Sequence, residues 1–281
     1  MAVRKVAIIT GVVGLLAIIM AIITYEIILP EAIGKRYITE LYSSAERLRT
    51  DFENLSGGTD TPLLKNPSAP IDERKSGTVM LKKTIADSQK HLVDLQKKAQ
   101  ALQTLPYSGY TSTYMQALAL KVRSERAALQ AEDTLNEFSA IITFLDSYTS
   151  TIDTTKIAID RFNQTTDLTQ LAGQGEAQRQ TAEQIRQDVA KIQQLTSPEE
   201  FEPVKSATMQ TLLQAADGFD ELANGLDLGA EVLIDQAAQK IESAGLQLET
   251  NDTSSYIGVT NQSRSIRSVY ELNEKLDLIL P

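Results

Sequence analysis

The chain contains no cysteine, no tryptophan, a single histidine and only 5% aromatic residues. Without cysteine there is no disulfide framework, no thiolate nucleophile and no sulfur ligand for a metal. The absence also suits an exposed compartment. The lone imidazole is His91, so a His-rich metal site cannot be assembled within one chain. No G-x-S-x-G elbow accompanies it, and no glycine-rich phosphate loop is present. The acid pairs Glu132-Asp133 and Glu199-Glu200 are adjacent on expected helices, where neighbours point about 100° apart and do not face each other. These absences predict a protein that is not an enzyme and takes no cofactor and no metal. His91, between Lys90 and Leu92, reads as a solvated helix residue.

Long apolar runs are also scarce, with one exception. Val6 to Leu29 reads VAIITGVVGLLAIIMAIITYEIIL, directly behind Arg4 and Lys5. A bilayer core of about 30 Å needs roughly 20 apolar residues at 1.5 Å rise each. The run meets that length and is expected to end at Pro30. Tyr25 and Glu26 fall where an amphipathic ring and a carboxylate reach the interface. A cleavable signal peptide would have a shorter apolar core and a small-residue cleavage site, so the run reads as an uncleaved anchor. Gly11 and Gly14 lack GxxxG spacing and make no packing motif.

Arg4 and Lys5 favour an inside N-terminus, while Lys35 and Arg36 beyond the run nearly cancel them. Asn54, Asn163, Asn251 and Asn261 each open an N-x-[ST] sequon and are candidate glycosylation sites; Asn66 is disqualified by Pro67. The expectation is a single-pass cell-membrane protein with its C-terminal body extracytoplasmic. Net charge is −10, which argues against nucleic acid as a partner.

Few aromatics and abundant aliphatic residues predict long helices packed through seams. Residues 1–30 form the anchor. A juxtamembrane stalk over 31–55 carries Leu41, Ala45, Leu48, Phe52 and Leu55 at heptad-like steps. Residues 56–78 hold two adjacent glycines and Pro62, Pro67 and Pro70, and read as a flexible linker. Residues 79–250 read as a bundle. One helix carries Leu81, Ile85, Leu92, Leu95 and Ala99. A second carries Leu118 to Leu145. A Ser/Thr/Asp-rich turn is expected over 146–155, then a helix to Leu195, interrupted near Gly173 and Gly175. From Ser197 as N-cap and Pro198 at the first position, one helix of about 50 residues is expected to reach Leu248, with Pro203 placed to split off its first turn as a separate short piece. Residues 251–281 form a polar tail with a short amphipathic helix on Ile266, Val269, Leu272 and Leu276. The fold class is therefore all-α: one N-terminal transmembrane helix and an elongated antiparallel four-helix bundle of two αα-hairpins. A weak internal likeness, from Leu105-Pro106 to Leu195-Thr-Ser-Pro198, is compatible with two related hairpins.

Tyr107, Tyr110 and Tyr114 form the densest aromatic cluster. They read as a plug for one end of the core, or as an interaction patch. Gly225 and Gly229 mark close packing of two backbones, or a ligand gap. Lys83, Lys90 and Lys97 recur every seven residues, as do Glu125 and Glu132, and are expected to pair across antiparallel helices. The expected partners are the lipid bilayer, through residues 6–29, and a protein partner or a second copy through the helices. The expected function is a membrane-anchored structural spacer or protein-interaction adaptor at the cell surface. The alternative is a ligand-binding sensory ectodomain working with a partner signalling subunit. In topology alone it resembles the periplasmic four-helix bundle of chemoreceptors. It lacks their second span and cytoplasmic signalling region.

Overall fold

The computed structural model describes residues 2–65, 69–102, 111–164, 173–250 and 257–277. Among these residues the protein is all-helical, with no strand. Helix α1 spans Ala2–Ile23, a π-helical segment spans Thr24–Ile28, and α2 spans Leu29–Gly58. The apolar run therefore does not end its helix at Pro30. An interior proline lacks an N–H and crowds the carbonyl four residues back, here that of Glu26. The π segment lies at that point, and Leu29 N–H bonds to Thr24 O, five residues back. Widening the helix by one residue lets it pass the proline. Near the N-terminus the described residues include one helix long and apolar enough to cross a membrane, with mean hydropathy 2.3 in its most apolar stretch, of which 6% is buried.

The body divides into two compact units. Helices α2, α4 (Ile71–Gln100) and α5 (Ser112–Asn163) give residues to both, as does α10 (Arg264–Asp277). The first unit takes 1–53, 86–135 and 270–281. In it Leu41, Ala45, Leu48 and Phe52 of α2 are fully buried, with Leu95 and Ala99 of α4, Ala117 and Ala131 of α5, and Leu276 of α10. Cross-links fix α2 and α4 as antiparallel: Tyr37 with Ala99, Ser44 with Asp94, and Asp51 with His91. A Cβ at Gly34 would lie 3.1 Å from the Thr113 carbonyl, so glycine lets α2 approach the start of α5.

The second unit takes 54–85 and 136–269. Here α3 (Pro62–Lys65), α6 (Gly175–Gln194), α7 (Glu202–Leu228), α8 (Glu231–Thr250) and α9 (Ile257–Gln262) join the remaining parts of α4 and α5. Three expectations are corrected. Much of 56–78 is packed helix, not linker. Pro62 opens α3 and Pro70 precedes α4, positions where a missing N–H costs little, and Leu63 and Leu64 are buried. Residues 66–68 lie outside the described set.

No turn forms at 146–155. Helix α5 runs straight through, because Thr149 and Thr151 donate to the carbonyls four residues back at 2.8 Å. Tyr148, Ile152 and Ile159 meanwhile keep its buried stripe.

The first turn does separate ahead of Pro203, as a 3-10 turn (Glu199–Phe201), but the rest is not one helix to Leu248: it is two antiparallel helices, α7 and α8. Ser197 is not the N-cap; its hydroxyl donates to Glu202 Oε1 at 2.7 Å. The break falls at Gly229, whose φ of 63° is the left-handed region that favours glycine. Gly229 N–H bonds to Leu226 O and Ala230 N–H to Gly225 O, the paired bonds of a Schellman cap. Gly173, at φ 78°, precedes α6. Arg186 reaches Asp217 and Asp220 to hold α6 on α7.

Candidate functional site

The second unit holds a cavity of about 830 Å³ between the start of α4, the end of α5 and α8. Its polar lining includes Arg74, Asp153, Lys156, Asp160, Glu242 and Glu249. Arg74 is the anchor. It is 5% exposed, its Nε donates to Ala69 O at 2.9 Å, and its Nη2 meets Asp153 Oδ1 at 2.5 Å. Phe162, on another wall, stacks edge-on against Phe219 of α7. The lining offers charge and apolar area side by side, which suits binding. Among the described residues no group of His, Cys, Asp and Glu is placed to hold a metal ion. Sequence reasoning missed Arg74 because it lies in the stretch read as a linker.

A second polar cluster joins α2 to α4 in the first unit. Asp94 accepts from Ser44 Oγ at 2.6 Å and Lys98 Nζ at 2.9 Å, and Lys98 also donates to Ser44. The Ser44 hydroxyl, then Lys98, holds the Asp94 carboxyl below its ordinary value against the opposing effect of burial. His91 is not simply solvated: its Nδ1 lies 2.6 Å from Asp51 Oδ2.

Nearby, Tyr37 is 6% exposed and donates to Ala99 O at 3.0 Å. Burial, with the charge of Glu125, pushes its phenol up to about 12. The unfolded value is about 10. The folded chain thus keeps a proton that the unfolded chain releases. This stabilisation is whole below about pH 10 and is lost as pH rises to about 12. In an alkaline absorbance titration, one tyrosine is expected to ionise after the exposed ones, and Tyr37→Phe to remove that late component. A titration unchanged by Tyr37→Phe would refute the assignment.

Of the residues singled out in the sequence, Tyr114 is 1% exposed and so serves the core instead of an open patch. Tyr107 and Tyr110 lie outside the described residues, as does Asn251. Asn54, Asn163 and Asn261 are exposed. Gly225 and Gly229 do different jobs: the first faces α8, where a Cβ would lie 3.0 Å from Ile234 Cγ1, and the second makes the turn. The cavity is not at these glycines. The expected Lys–Glu heptad pairing is replaced. Gln96 donates to Glu132 at 2.9 Å, Lys82 pairs with Asp146 at 2.6 Å, and Lys90 pairs within its own helix with Asp87. Lys82 and Gln96, each one residue before a heptad lysine, reach α5, while Lys83, Lys90 and Lys97 are exposed. Comparison with protein-family models, curated proteins and solved structures finds no match for this chain.

Proposed function

We propose that this chain is a membrane-anchored, extracytoplasmic helical-bundle protein that acts as a structural spacer or protein-interaction adaptor at the cell surface. One observation carries the reading. The exposed apolar helix passes through the π segment into α2 without a break, and α2 supplies the central seam of a packed unit. An anchor built this way hands its direction to the body without a flexible joint. The bundle is read in modified form: α4–α5 and α6–α7 are its two hairpins, and α8 folds back on α7. The reading assigns it no catalytic role, on the sequence alone: no cysteine, a single histidine and no G-x-S-x-G elbow.

The absence of cysteine allows a clean topology test. Ser150→Cys lies on an exposed position of α5. In intact cells a membrane-impermeant maleimide is expected to label it, and to label Ala2→Cys only after permeabilisation. The reverse pattern would overturn the orientation.

The cavity of about 830 Å³ favours a second reading, a ligand-binding sensory ectodomain with a partner signalling subunit. The two readings separate on helix length. Removing matched heptads from α4 and α5 abolishes the work of a spacer and leaves ligand binding at the far end of those helices intact.

A further inference from the structure

The apolar run is exposed up to its last residues: Ile27, Ile28 and Leu29 are 54%, 52% and 39% exposed. Covering them takes a bilayer whose apolar core reaches Leu29. The headgroup layer adds about 5–7 Å on each side of that core. At about 1.5 Å per residue, Glu31 and Gly34 lie roughly 3 and 7.5 Å beyond Leu29, inside that layer and at its outer edge.

In the first unit the start of α5 stands at the same depth. Thr113 Oγ1 donates to Glu31 Oε1 at 2.9 Å, and a Cβ at Gly34 would lie 3.1 Å from the Thr113 carbonyl. From there α5 runs the same way as α2, away from the span. Glu132 of α5 meets Gln96 of α4, two residues from the Asp94 that bonds to Ser44 of α2. Met115, 46% exposed, lies in the first turns of α5. A helical side chain leans back over the turn N-terminal to it, so Met115 leans toward the span's end of the unit. The first turn of α5 carries no acid to repel phosphates. On α2, Lys35 and Arg36 are answered by Glu31 and Glu40, so the charges at this level balance and select no anionic lipid.

We propose that the start of α5 is a second membrane contact: residues 112–115 seat in the phospholipid headgroup layer beside the span, with Met115 as the apolar side chain that enters it. The contact rests on the anchor reading above and holds on whichever side of the membrane the body stands. A span and a second foothold together stop the unit from swivelling about its anchor, which suits a spacer.

The chain has no tryptophan, so one substitution supplies a single fluorescent reporter. Met115, Val122 and Leu129 are 46%, 50% and 62% exposed and recur every seven residues on one face of α5. Val122 and Leu129 lie about 10 and 21 Å farther along the helix, so they read depth alone. The full chain is placed in phosphocholine nanodiscs that carry a nitroxide on the headgroup. Met115→Trp is expected to be quenched strongly, Val122→Trp weakly and Leu129→Trp not at all. Ile18→Trp, in the span, is expected to be quenched by a nitroxide on the acyl chain. If Ile18→Trp is quenched but Met115→Trp is quenched no more than Leu129→Trp, the proposal is overturned and the anchor stands. If Ile18→Trp is not quenched, the anchor reading fails and this proposal with it. Should Met115→Trp not fold, Ser112→Trp, exposed one turn earlier, must exceed Leu129→Trp in the same way, and equality there also overturns the proposal.

Discussion

Asp153→Ala is expected to destabilise the protein by roughly 3–5 kcal/mol, the cost of leaving one member of a buried pair alone. Arg74 and Asp153 have side chains 7% and 14% exposed. The guanidinium is held between the Asp153 carboxylate and the Ala69 carbonyl, at the point where α4 begins. Removing the carboxylate leaves a desolvated cation with a single acceptor. The exposed pairs set the scale for comparison. Arg49–Glu53, 34% and 47% exposed along one helix face, is worth about 1 kcal/mol or less, so Glu53→Ala is the matched control. The double variant Arg74→Met/Asp153→Leu is expected to recover most of the loss, because two apolar side chains carry no desolvation cost. Urea unfolding of the full chain in micelles reads all three. A midpoint for Asp153→Ala as close to wild type as that of Glu53→Ala would show that the pair is solvated and structurally idle. Because Arg74 and Asp153 both line the cavity, the same variant also tests what shapes that wall.

Arg74 marks the limit of what the sequence discloses. The apolar stripes were legible: Leu41, Ala45, Leu48 and Phe52 recur at helical spacing, and each is fully buried. So were Ile266, Val269, Leu272 and Leu276 of α10. A stripe is visible because burial acts on every third or fourth residue in turn. Breaks between helices are harder, since the same residue types serve both states. The Ser/Thr-rich stretch at 146–155 carries turn composition, yet a threonine hydroxyl is equally well matched by the carbonyl one turn back within a helix. Gly229 stands four residues after Gly225, and spacing alone does not say which is a turn and which a contact. That depends on the helix opposite. Arg74 sits among prolines and glycines that suggest a linker, and its acceptor lies 79 positions away on α5. The approach of Thr113 to Gly34 depends wholly on three-dimensional placement.

Gly225→Val is expected to be among the most damaging substitutions on α7, costing about 1–3 kcal/mol or more through overpacking. Helices α7 and α8 run antiparallel, with Gly225 opposite Ile234 and Gly218 opposite Ile241. Each glycine is seven residues from the other, and so is each isoleucine, so both pairs lie on one line of contact. A Cβ at 225 would meet Ile234 Cγ1 at 3.0 Å, the Ile234 backbone nitrogen at 3.1 Å and the Leu233 carbonyl carbon at 3.3 Å. A side chain can rotate away from such a contact, but backbone cannot, so α8 must move outward. Two other glycines isolate the mechanism. At Gly229 a Cβ meets nothing within 4 Å, so Gly229→Ala feels only the positive φ, about 1–2 kcal/mol. At Gly57, in the last turn of α2, there is neither a contact nor a positive φ, and Gly57→Ala is expected to stabilise by about 0.4–1 kcal/mol. Thermal unfolding of the three full-length variants should therefore give two losses and one gain. Equal tolerance at 225 and 57 would mean that α8 does not approach α7 as closely as the geometry requires. The displacement has a second consequence. Glu242, Gly245 and Glu249 of α8 form one wall of the cavity, so Gly225→Val is expected to alter that wall while Gly57→Ala leaves it unchanged.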